Sequence, residues 1–598
     1  MDNKIVGSEI YTLEKLFSDK FDVDFYQREY VWQKKQIEDL IEDLSAEFLK
    51  NWNLGDSLSQ VREYDPYYMG EIIISMKVQK RNAIIDGQQR ITSLTLLLMY
   101  LMRRFSRLEK FPKNEIEKLI YADYYGEKLF NLNIKERNKC MLSLYKTGEY
   151  NLEKGDTLSV KNLVDRYNDI SSCWNDLITD ENVVNFTYWL KEKVIFSRVW
   201  TNSDEFAYVI FETMNDRGLS LTQVEMLRSY LLANIDETSR EKAMNNFDEI
   251  IRKLMNIKLT SKSKAEFEFF KVYFRGHYAD DLAQGKNVNS DFVRIGKEFH
   301  RWLRDNSNKL KLNTSDDYVD FLNRIIYFVN IYEKINLITQ RRDVKNYLYL
   351  VVNNDYGFTL QPALILSAIN YNDTDKIVDE KIRLISKYLT KVLSWRVWNH
   401  YKISQSAMEH TIYGLCKKIR NKNIKQIENI LNESIKDALT LENSPTLNRM
   451  NKNSIKVLLS LITEIVARAT NTSDYMLNKE EEIEIEHIWA NHYEDHANEF
   501  TNNDEFVTVR NNIGDLLVLP RSFNRSYGDK VYSEKVKQYF SQNILAQTLN
   551  EQKYINNPAF LKFVQDSNLE FKPYNKFTRT SINERAELYK AILEWNWR

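Results

Sequence analysis

Residues 82–98 read NAIIDGQQRITSLTLLL, and this stretch decides the fold predicted for the N-terminal region. Its first part is short, apolar and ends at Asp86-Gly87, which predicts a strand. The part that begins at Arg90 predicts a helix directly after that strand. The first turn of a helix offers free N–H groups and the positive end of the helix dipole, which suit phosphate. Gly87 would let a ligand approach the backbone, and Arg90 would supply a fork of donors.

The same junction allows a purely structural interpretation. Asp86 could cap the helix and Arg90 could be a surface charge, since strand-Asp-Gly-helix junctions are common. The residues of this stretch alone leave both interpretations open.

Two other short runs predict further strands, and the rest of the chain is mostly helical in pattern. YYMGEIIISMKV (67–78) and KVIFSRVW (193–200) are rich in Ile, Val and aromatic residues. KIVDEKIRLISKYLTKVLSWRVW (376–398) is typical of the middle of the chain, with apolar residues three and four apart. We therefore predict a predominantly helical α+β protein. Its predicted domains are residues 1–235, a helical spacer at 236–470, and residues 471–598.

The composition supports long helices and excludes several classes of protein. Of 598 residues, 43% are hydrophobic and 13% aromatic, which excludes wholesale disorder. Gly and Pro number only 15 and 7, far below average usage, which excludes collagenous and proline-rich architectures. The three cysteines are scattered without a CxxC pair and fit a reducing compartment: Cys140, Cys173 and Cys416. The longest apolar run, Leu94–Met102, is about half of what spans a bilayer, and the N-terminus is unlike a signal peptide. We expect a cytoplasmic protein with no membrane partner.

Two more segments of the N-terminal region carry unusual polar residues. In DEFAYVIFETMNDRGLSLTQVEMLRSYLLA (204–233), Thr222 and Glu225 predict a capping box for a helix, and the Asn-Asp-Arg-Gly run before them predicts a break. This leaves Asn215 and Arg217 unexplained, in a loop that could face a ligand. YQREYVW (26–32) is weak alone, since an aromatic-basic segment is usually a packing edge with a solvated Arg.

Taken together, QREYVW, YMGEIII, IIDGQQR and FETMNDRGLSL resemble, in order and spacing, the N-terminal domain of the GmrSD family, which are modification-dependent (type IV) restriction endonucleases. The resemblance covers about residues 8–235 and implies the nucleotide-binding fold shared by ParB and sulfiredoxin. It also implies that the DGQQR loop binds and hydrolyses a nucleoside triphosphate, with GTP, UTP, CTP and ATP not distinguished. The resemblance assigns to the nucleotide site Arg28, Asp86, Gly87, Gln88, Gln89, Arg90, Asn215 and Arg217.

Three of the seven histidines, His487, His492 and His496, fall within ten residues near the C-terminus. A His after an acidic residue, the strand-like LLVLP and an Asn-bearing loop before a helix predict a ββα-metal nuclease. In such a site the His takes a proton from water, and one divalent ion stabilises charge on the scissile phosphate. His492 and His496 are expected to share one helix face as solvent-facing residues, because no third ligand completes a zinc site.

This segment is similar to the C-terminal, HNH-like domain of the same family. The family pattern of EHI, a strand after a glycine, an Asn-rich loop and a trailing Lys is matched by Glu486-His487-Ile488, Gly514-Asp515-Leu516, Asn524 and Lys535. FTRTSINERAELYKAILEW (577–595) resembles its closing helix. The resemblance implies His487 as general base, Asn524 as a ligand of Mg²⁺ or Mn²⁺, and Glu486 as second ligand or support.

Two departures from the family pattern concern the nuclease half. The family usually has Pro-Gln after EHI, where this chain has Trp489-Ala490-Asn491. It usually has Asn where Asp515 stands. Asp515 could brace the metal loop in place of Asn, bind the metal itself, or weaken cleavage.

The two resemblances imply a nucleotide-dependent DNA endonuclease of bacterial anti-phage defence that senses modified double-stranded DNA and cuts or nicks it. Three alternatives remain open: a nucleotide-hydrolysing modification sensor with a degenerate nuclease half, a phosphorothioate sensor of opposite polarity that restricts unmodified DNA, and a helical scaffold. The basic stretches 77–81 and 417–425 are candidates for DNA contact. The sequence leaves a homodimer open.

Overall fold

The structure is a computed structural model that describes most of the chain. The described residues are 6–19, 21–23, 30–76, 82–124, 127–153, 155–202, 222–257, 264–284, 289–436, 439–472, 482–527 and 530–598. The chain divides into two compact units, Met1–Arg240 and Glu241–Arg598. The division into three domains stays a prediction.

The first unit is built on a mixed sheet. Its strands are β1 (Val6–Thr12), β2 (Phe21–Val23), β3 (Tyr67–Ser75), β4 (Asn82–Asp86), β5 (Tyr121–Tyr124), β6 (Glu127–Phe130), β7 (Leu132–Asn133) and β8 (Val194–Thr201). Among the described residues, six of them form one sheet in the order β1-β8-β3-β4-β2-β7, and β5 and β6 form a separate hairpin. The three strands expected from the sequence, β3, β4 and β8, are confirmed.

Helices cover this sheet. They are α1 (Leu13–Ser18), α2 (Lys34–Asn51), α3 (Gln88–Phe105), α4 (Lys113–Ile120), α5 (Lys135–Thr147), α6 (Leu158–Ser172), α7 (Val183–Glu192) and α8 (Gln223–Ala233). α3 is buried along almost its whole length, from Ile91 to Met102, so its apolar run forms the centre of the core. The predicted helix after Gly87 and the capping box of Thr222 and Glu225 are both confirmed.

Strand direction places two segments at one edge of the sheet. β2 runs parallel to β4, with Phe21 opposite Asn82 and Val23 opposite Ile84. The carboxyl ends of parallel strands lie at the same edge of a sheet. The carboxyl end of β2, at Val23, therefore lies at the same edge of the sheet as Asp86.

The long helical stretch predicted after the first unit is confirmed. Its helices are α9 (Glu237–Met255), α10 (Ala265–Tyr278), α11 (Asp291–Asp305), α12 (Ser315–Arg341), α13 (Val344–Asp355), α14 (Gln361–Ala368), α15 (Asp375–Trp398), α16 (Gln405–Ile419), α17 (Ile424–Ile435) and α18 (Lys452–Ala469). No helix of the described residues is long and apolar enough to cross a membrane.

A small two-stranded sheet follows. Its elements, in chain order, are β9 (Ile483–His487), α19 (Asn503–Arg510), β10 (Leu516–Pro520), α20 (Arg521–Tyr527), α21 (Tyr532–Tyr539), α22 (Ile544–Gln547), α23 (Pro558–Ser567) and α24 (Arg579–Trp597). β9 and β10 pair antiparallel, and α20 begins directly where β10 ends. This is the strand–strand–helix order that the sequence predicted.

The last helix, α24, closes this sheet from one side. A Cβ on Gly514 would lie only 1.9 Å from the carbonyl oxygen of Ile582, so glycine is required for the helix to approach β10. The hydroxyl of Tyr589 donates a hydrogen bond to the Leu516 carbonyl at 3.1 Å. The indole N–H of Trp489, just after β9, donates to the Phe577 carbonyl at 2.9 Å. α24, together with Phe577 just before it, therefore holds the start of β10 and the segment that follows β9.

Candidate functional site

The first candidate site lies where β4 passes into α3. Gly87 has φ 99° and ψ 0°, in the left-handed region, and a Cβ there would lie 2.2 Å from Ile72 Cδ1. Only glycine fits both requirements. The Asp86 side chain at the strand end is about half exposed, and Arg90 Nη2 lies 3.6 Å from its Oδ2. The junction therefore presents a carboxylate and a guanidinium side by side.

Arg90 connects this junction to β3. Its Nη1 donates to the Met69 carbonyl at 3.1 Å. Gly70, with φ 102°, lies beneath the guanidinium, because a Cβ there would be 2.5 Å from Arg90 Nη1. Because Gly70 has no side chain, it leaves the space that the Arg90 guanidinium occupies.

The two glutamines of the junction are buried rather than turned to solvent. Gln88 is 5% exposed and Gln89 is 9% exposed. The Oε1 atom of Gln89 accepts hydrogen bonds from the backbone N–H groups of Val31 at 2.9 Å and Trp32 at 3.3 Å. Gln89 thus holds the end of the QREYVW segment against the start of α3.

We call residues 30–32 and the groups that hold them the Tyr30–Trp32 clamp. Tyr30 is fully buried, and its hydroxyl lies 2.8 Å from Ser93 Oγ. Helix α6 supplies the remaining contacts: Ser159 Oγ accepts from the Tyr30 N–H at 3.2 Å, Asn162 Nδ2 donates to the Tyr30 carbonyl at 2.7 Å, and Arg166 Nη1 donates to the Trp32 carbonyl at 3.0 Å.

Sequence reasoning missed the contribution of α6 to this clamp. The available signal was a set of polar residues three and four apart, Ser159, Asn162 and Arg166. All three are buried. Their spacing places them on one face of α6.

Several predicted residues lie outside the described part of the chain. These are Arg28, Asn215, Arg217 and the basic stretch 77–81. Their assignment to a nucleotide site or a DNA surface stays a prediction.

The second candidate site lies at the end of β9. His487 pairs in register with Leu516 of β10. Its Nε2 lies 3.0 Å from Asn511 Oδ1. In this orientation Nε2 carries the proton and the lone pair is on Nδ1. Burial and the nearby charge of Arg510 lower the pKa of His487 to about 4. The ring is therefore neutral at neutral pH, as a general base must be.

Glu486 points into the protein, on the opposite face of β9 from His487. Its Oε1 accepts hydrogen bonds from Lys535 Nζ at 2.8 Å and from the Tyr539 hydroxyl at 3.0 Å. Lys535 also donates to the His487 carbonyl at 2.8 Å. Burial raises the pKa of Glu486 even though Lys535 acts in the opposite direction. The predicted Glu486 and Lys535 thus form one buried pair behind the histidine.

Asp515 is completely buried. Its Oδ1 accepts from the Trp489 N–H at 3.1 Å, while its Oδ2 has no hydrogen-bond partner among the described residues. Burial raises the pKa of this carboxyl well above its usual range. Through this bond Asp515 braces the segment after His487.

Asn524, on α20, is adjacent to a different carboxylate. Its Nδ2 donates at 3.2 Å both to Glu484 Oε2 and to the Ile485 carbonyl. Glu484 in turn lies 3.3 Å from Arg521 Nε. Sequence reasoning missed Glu484, although it shares a strand face with Glu486 two residues later.

These oxygen-bearing groups fit a hard divalent cation. Asn524 and Glu484 offer an amide oxygen and a carboxylate close together, which are the donors that Mg²⁺ and Mn²⁺ prefer. The described residues contain no group of three or more His, Cys, Asp or Glu that could hold a metal by themselves.

Two predictions for this half need correction. His492 and His496 do not share a helix face, because the chain forms only a 3-10 turn at Tyr493–His496, with His492 before it. His496 does not face solvent; its ring packs on Trp489 with centroids 4.1 Å apart. The contact with Trp489, which the sequence pattern does not show, determines where the His496 ring lies.

The prediction that the basic stretch 417–425 can contact DNA needs correction at one residue, Arg420. Arg420 donates from Nε to the Gly276 carbonyl at 2.6 Å and from Nη2 to the Ala279 carbonyl at 2.7 Å. Its Nη1 lies 3.0 Å from Asp280. Arg420 therefore caps the end of α10 and has no free fork for phosphate.

Comparison with known families agrees with both halves. A family model described as GmrSD restriction endonuclease, N-terminal domain, matches residues 13–232. A second, described as GmrSD restriction endonucleases, C-terminal domain, matches residues 413–592. Together they cover about two thirds of the chain. No curated protein matches the sequence.

Proposed function

The chain belongs to the GmrSD family of restriction endonucleases, and from this we propose that its cutting of DNA depends on DNA modification and on a bound nucleoside triphosphate. Membership of the family makes it a nuclease of phage defence with DNA as its partner. The proposal adds the finer points. The first unit binds and hydrolyses the nucleotide, senses the modification, and licenses cleavage by the hairpin that carries His487.

One observation supports the cleavage step most strongly: a half-buried histidine with a lowered pKa at the end of β9, held by Asn511. His487 takes a proton from the attacking water at Nδ1, since its Nε2–H is engaged. Glu486, Lys535 and Asp515 are positioning residues. Lys535 fixes the His487 carbonyl, and Asp515 fixes the backbone two residues further on.

Asn524 and Glu484 would hold a Mg²⁺ or Mn²⁺ ion, with Glu486 as the alternative carboxylate that the family resemblance implies. When bound, such an ion supplies positive charge against the charge that develops on the phosphate. Arg521 pairs with Glu482 and Glu484 and so offsets part of the negative charge of these two carboxylates.

For the nucleotide, support comes from the junction at Gly87. The positive end of the α3 dipole and the adjacent Arg90 suit phosphate, and Asp86 suits a ribose hydroxyl or a nucleotide-bound cation. Gln89 also holds Val31 and Trp32 of the Tyr30–Trp32 clamp, so it links this segment to the start of α3.

A second candidate is a nucleotide-hydrolysing sensor of modified DNA, including phosphorothioate, with a weakened nuclease half. Two features favour it: Asp515 stands where the family usually has Asn, and Glu486 is committed to Lys535. Replacing Asp515 by Asn distinguishes the two, because only a weakened nuclease gains cleavage from the change.

The test uses His487→Ala with His492→Ala as the matched control, since His492 is exposed on the next turn. Each protein receives Mg²⁺ or Mn²⁺, with and without each nucleoside triphosphate. The substrates are unmodified, hydroxymethylated, glucosylated and phosphorothioate DNA. We expect His487→Ala to lose cleavage by roughly 10²–10⁴-fold while nucleotide hydrolysis persists. Full cleavage by His487→Ala removes His487 from the mechanism.

A further inference from the structure

The loop that precedes α18 carries positive charge with no acid beside it. From Asn443 to Thr463 the sequence has no Asp or Glu, but it has Arg449, Lys452 and Lys456. Arg449 and Lys452 are exposed, and neither forms an ion pair with another described residue. Cations left unneutralised on an exposed loop attract phosphate.

Between the two exposed cations lies Met450, which is 96% exposed, the most of any large apolar side chain in the described residues. The loop is braced from within. Asn448 Oδ1 accepts from the N–H groups of Met450 at 2.9 Å and Asn451 at 3.1 Å, and Asn451 Oδ1 accepts from the Asn448 N–H at 2.8 Å. The apolar side chain is therefore presented outward on an ordered turn rather than folded back.

The base of this loop is hydrogen-bonded to the segment that holds His487. The Leu447 N–H donates to the Asn511 carbonyl at 2.7 Å, and the Ile513 N–H donates to the Pro445 carbonyl at 2.9 Å. Asn511 is the residue whose side chain contacts His487.

We infer that the loop Asn448–Lys452 is a DNA contact that places the duplex at His487. Arg449 and Lys452 bind backbone phosphates, and Met450 inserts at the groove between them, as apolar side chains do in proteins that bend DNA. The inference rests on the proposed nuclease function, because it identifies the surface that this function needs.

Duplex DNA fits this loop better than a protein partner does. An acid-free run with unpaired cations on both sides of one apolar residue complements a polyanion, whereas a protein interface usually has a larger apolar centre. Phosphate contacts carry no sequence information. The loop is therefore expected to add affinity and orientation, and to leave recognition of the modification to the first unit.

The experiment measures binding of the full chain to a fluorescent 30-base-pair duplex, without divalent ions, over a series of NaCl concentrations. The variants are Arg449→Gln/Lys452→Gln, and Lys376→Gln/Lys387→Gln as control. The control pair is exposed on α15 and removes the same charge. We expect the first pair to weaken binding roughly tenfold or more and to lower the salt slope by about two, one per phosphate contact.

A third variant separates charge from insertion. Met450→Gln keeps the length of the side chain but not its apolar character, so we expect weaker binding with an unchanged salt slope. Binding and slope equal to wild type in the double variant overturn the phosphate contacts, and unchanged binding by Met450→Gln overturns the insertion. If the wild type and His487→Ala both fail to bind any duplex, the nuclease proposal fails as well.

Discussion

The junction at Gly87 and the hairpin at His487 hold their functional side chains with different kinds of group. At the junction, neutral side chains bind backbone: Gln89 and Asn162 each satisfy a peptide group of the Tyr30–Trp32 clamp. At the hairpin, ionisable side chains are buried together, as in the pair of Glu486 and Lys535. In the first arrangement, the contacts of Gln89 and Asn162 depend on hydrogen-bond geometry, because neither side chain titrates. The second depends on charge balance, so removing one partner costs more than removing both.

The largest effect is expected from Lys535→Met. The variant leaves Glu486 buried without its cation, which costs about 3–5 kcal/mol. Guanidinium unfolding, followed by hydrogen exchange in residues 483–487, measures the loss. The double variant Glu486→Leu/Lys535→Met is the control, and it should recover most of the stability, because a buried pair replaced by apolar side chains is often neutral. If the single variant unfolds like the wild type, charge balance does not hold the hairpin.

A smaller effect is expected from Gln89→Ala. The N–H groups of Val31 and Trp32 lose their shared acceptor, at a total cost of about 1–3 kcal/mol because both donors are only partly buried. Amide exchange at both residues should become faster, and nucleotide binding should weaken roughly tenfold. Gln89→Glu keeps an acceptor and should restore the slow exchange. Slow exchange that persists in Gln89→Ala would show that the clamp does not need this side chain.

The smallest effect is expected from Asp515→Asn. The pKa of Asp515 in the folded protein lies above that of an unfolded Asp, which is about 3.9. The folded state therefore holds a proton that the unfolded state releases, and the wild type loses stability as pH rises from about 4 towards the folded pKa. Asp515→Asn has no carboxyl at this position, so its folding stability does not fall with pH for this reason.

The stability advantage of Asp515→Asn over wild type should therefore grow with pH, by at most about 1.4 kcal/mol between pH 5 and 6. Thermal unfolding of the two proteins across this range measures it. Gln89→Ala, which removes a side chain that does not titrate, is the control that should show no such trend. A constant difference at all pH values would mean that Asp515 is ionised in the folded protein.

Much of the fold could be predicted because its signals are local. The strand and helix on either side of Gly87, and the capping box of Thr222 and Glu225, are each specified within a few neighbouring residues. The order of β9, β10 and α20 was equally visible, since the apolar runs and the Asn-bearing loop follow one another along the chain.

The site contacts were harder to predict because their partners are distant in sequence. Gln89 was assigned to the nucleotide, yet its oxygen holds Val31 and Trp32, more than fifty residues away. Glu484 and Glu486 share a strand face, and only the packing of α21 decides that Glu486 receives Lys535. The failure at His496 has a similar cause, since stacking on Trp489 overrode the helical spacing.

During synthesis, the nuclease half is completed only when helix α24 has been made. It packs on Gly514, bonds to Leu516 through Tyr589, and follows every other part of the site along the chain. At about 5–20 residues per second, the ribosome needs several seconds to go from Asn524 to the end of α24. The sheet of β9 and β10 is therefore closed only after α24 has been made, later than every strand of the first unit.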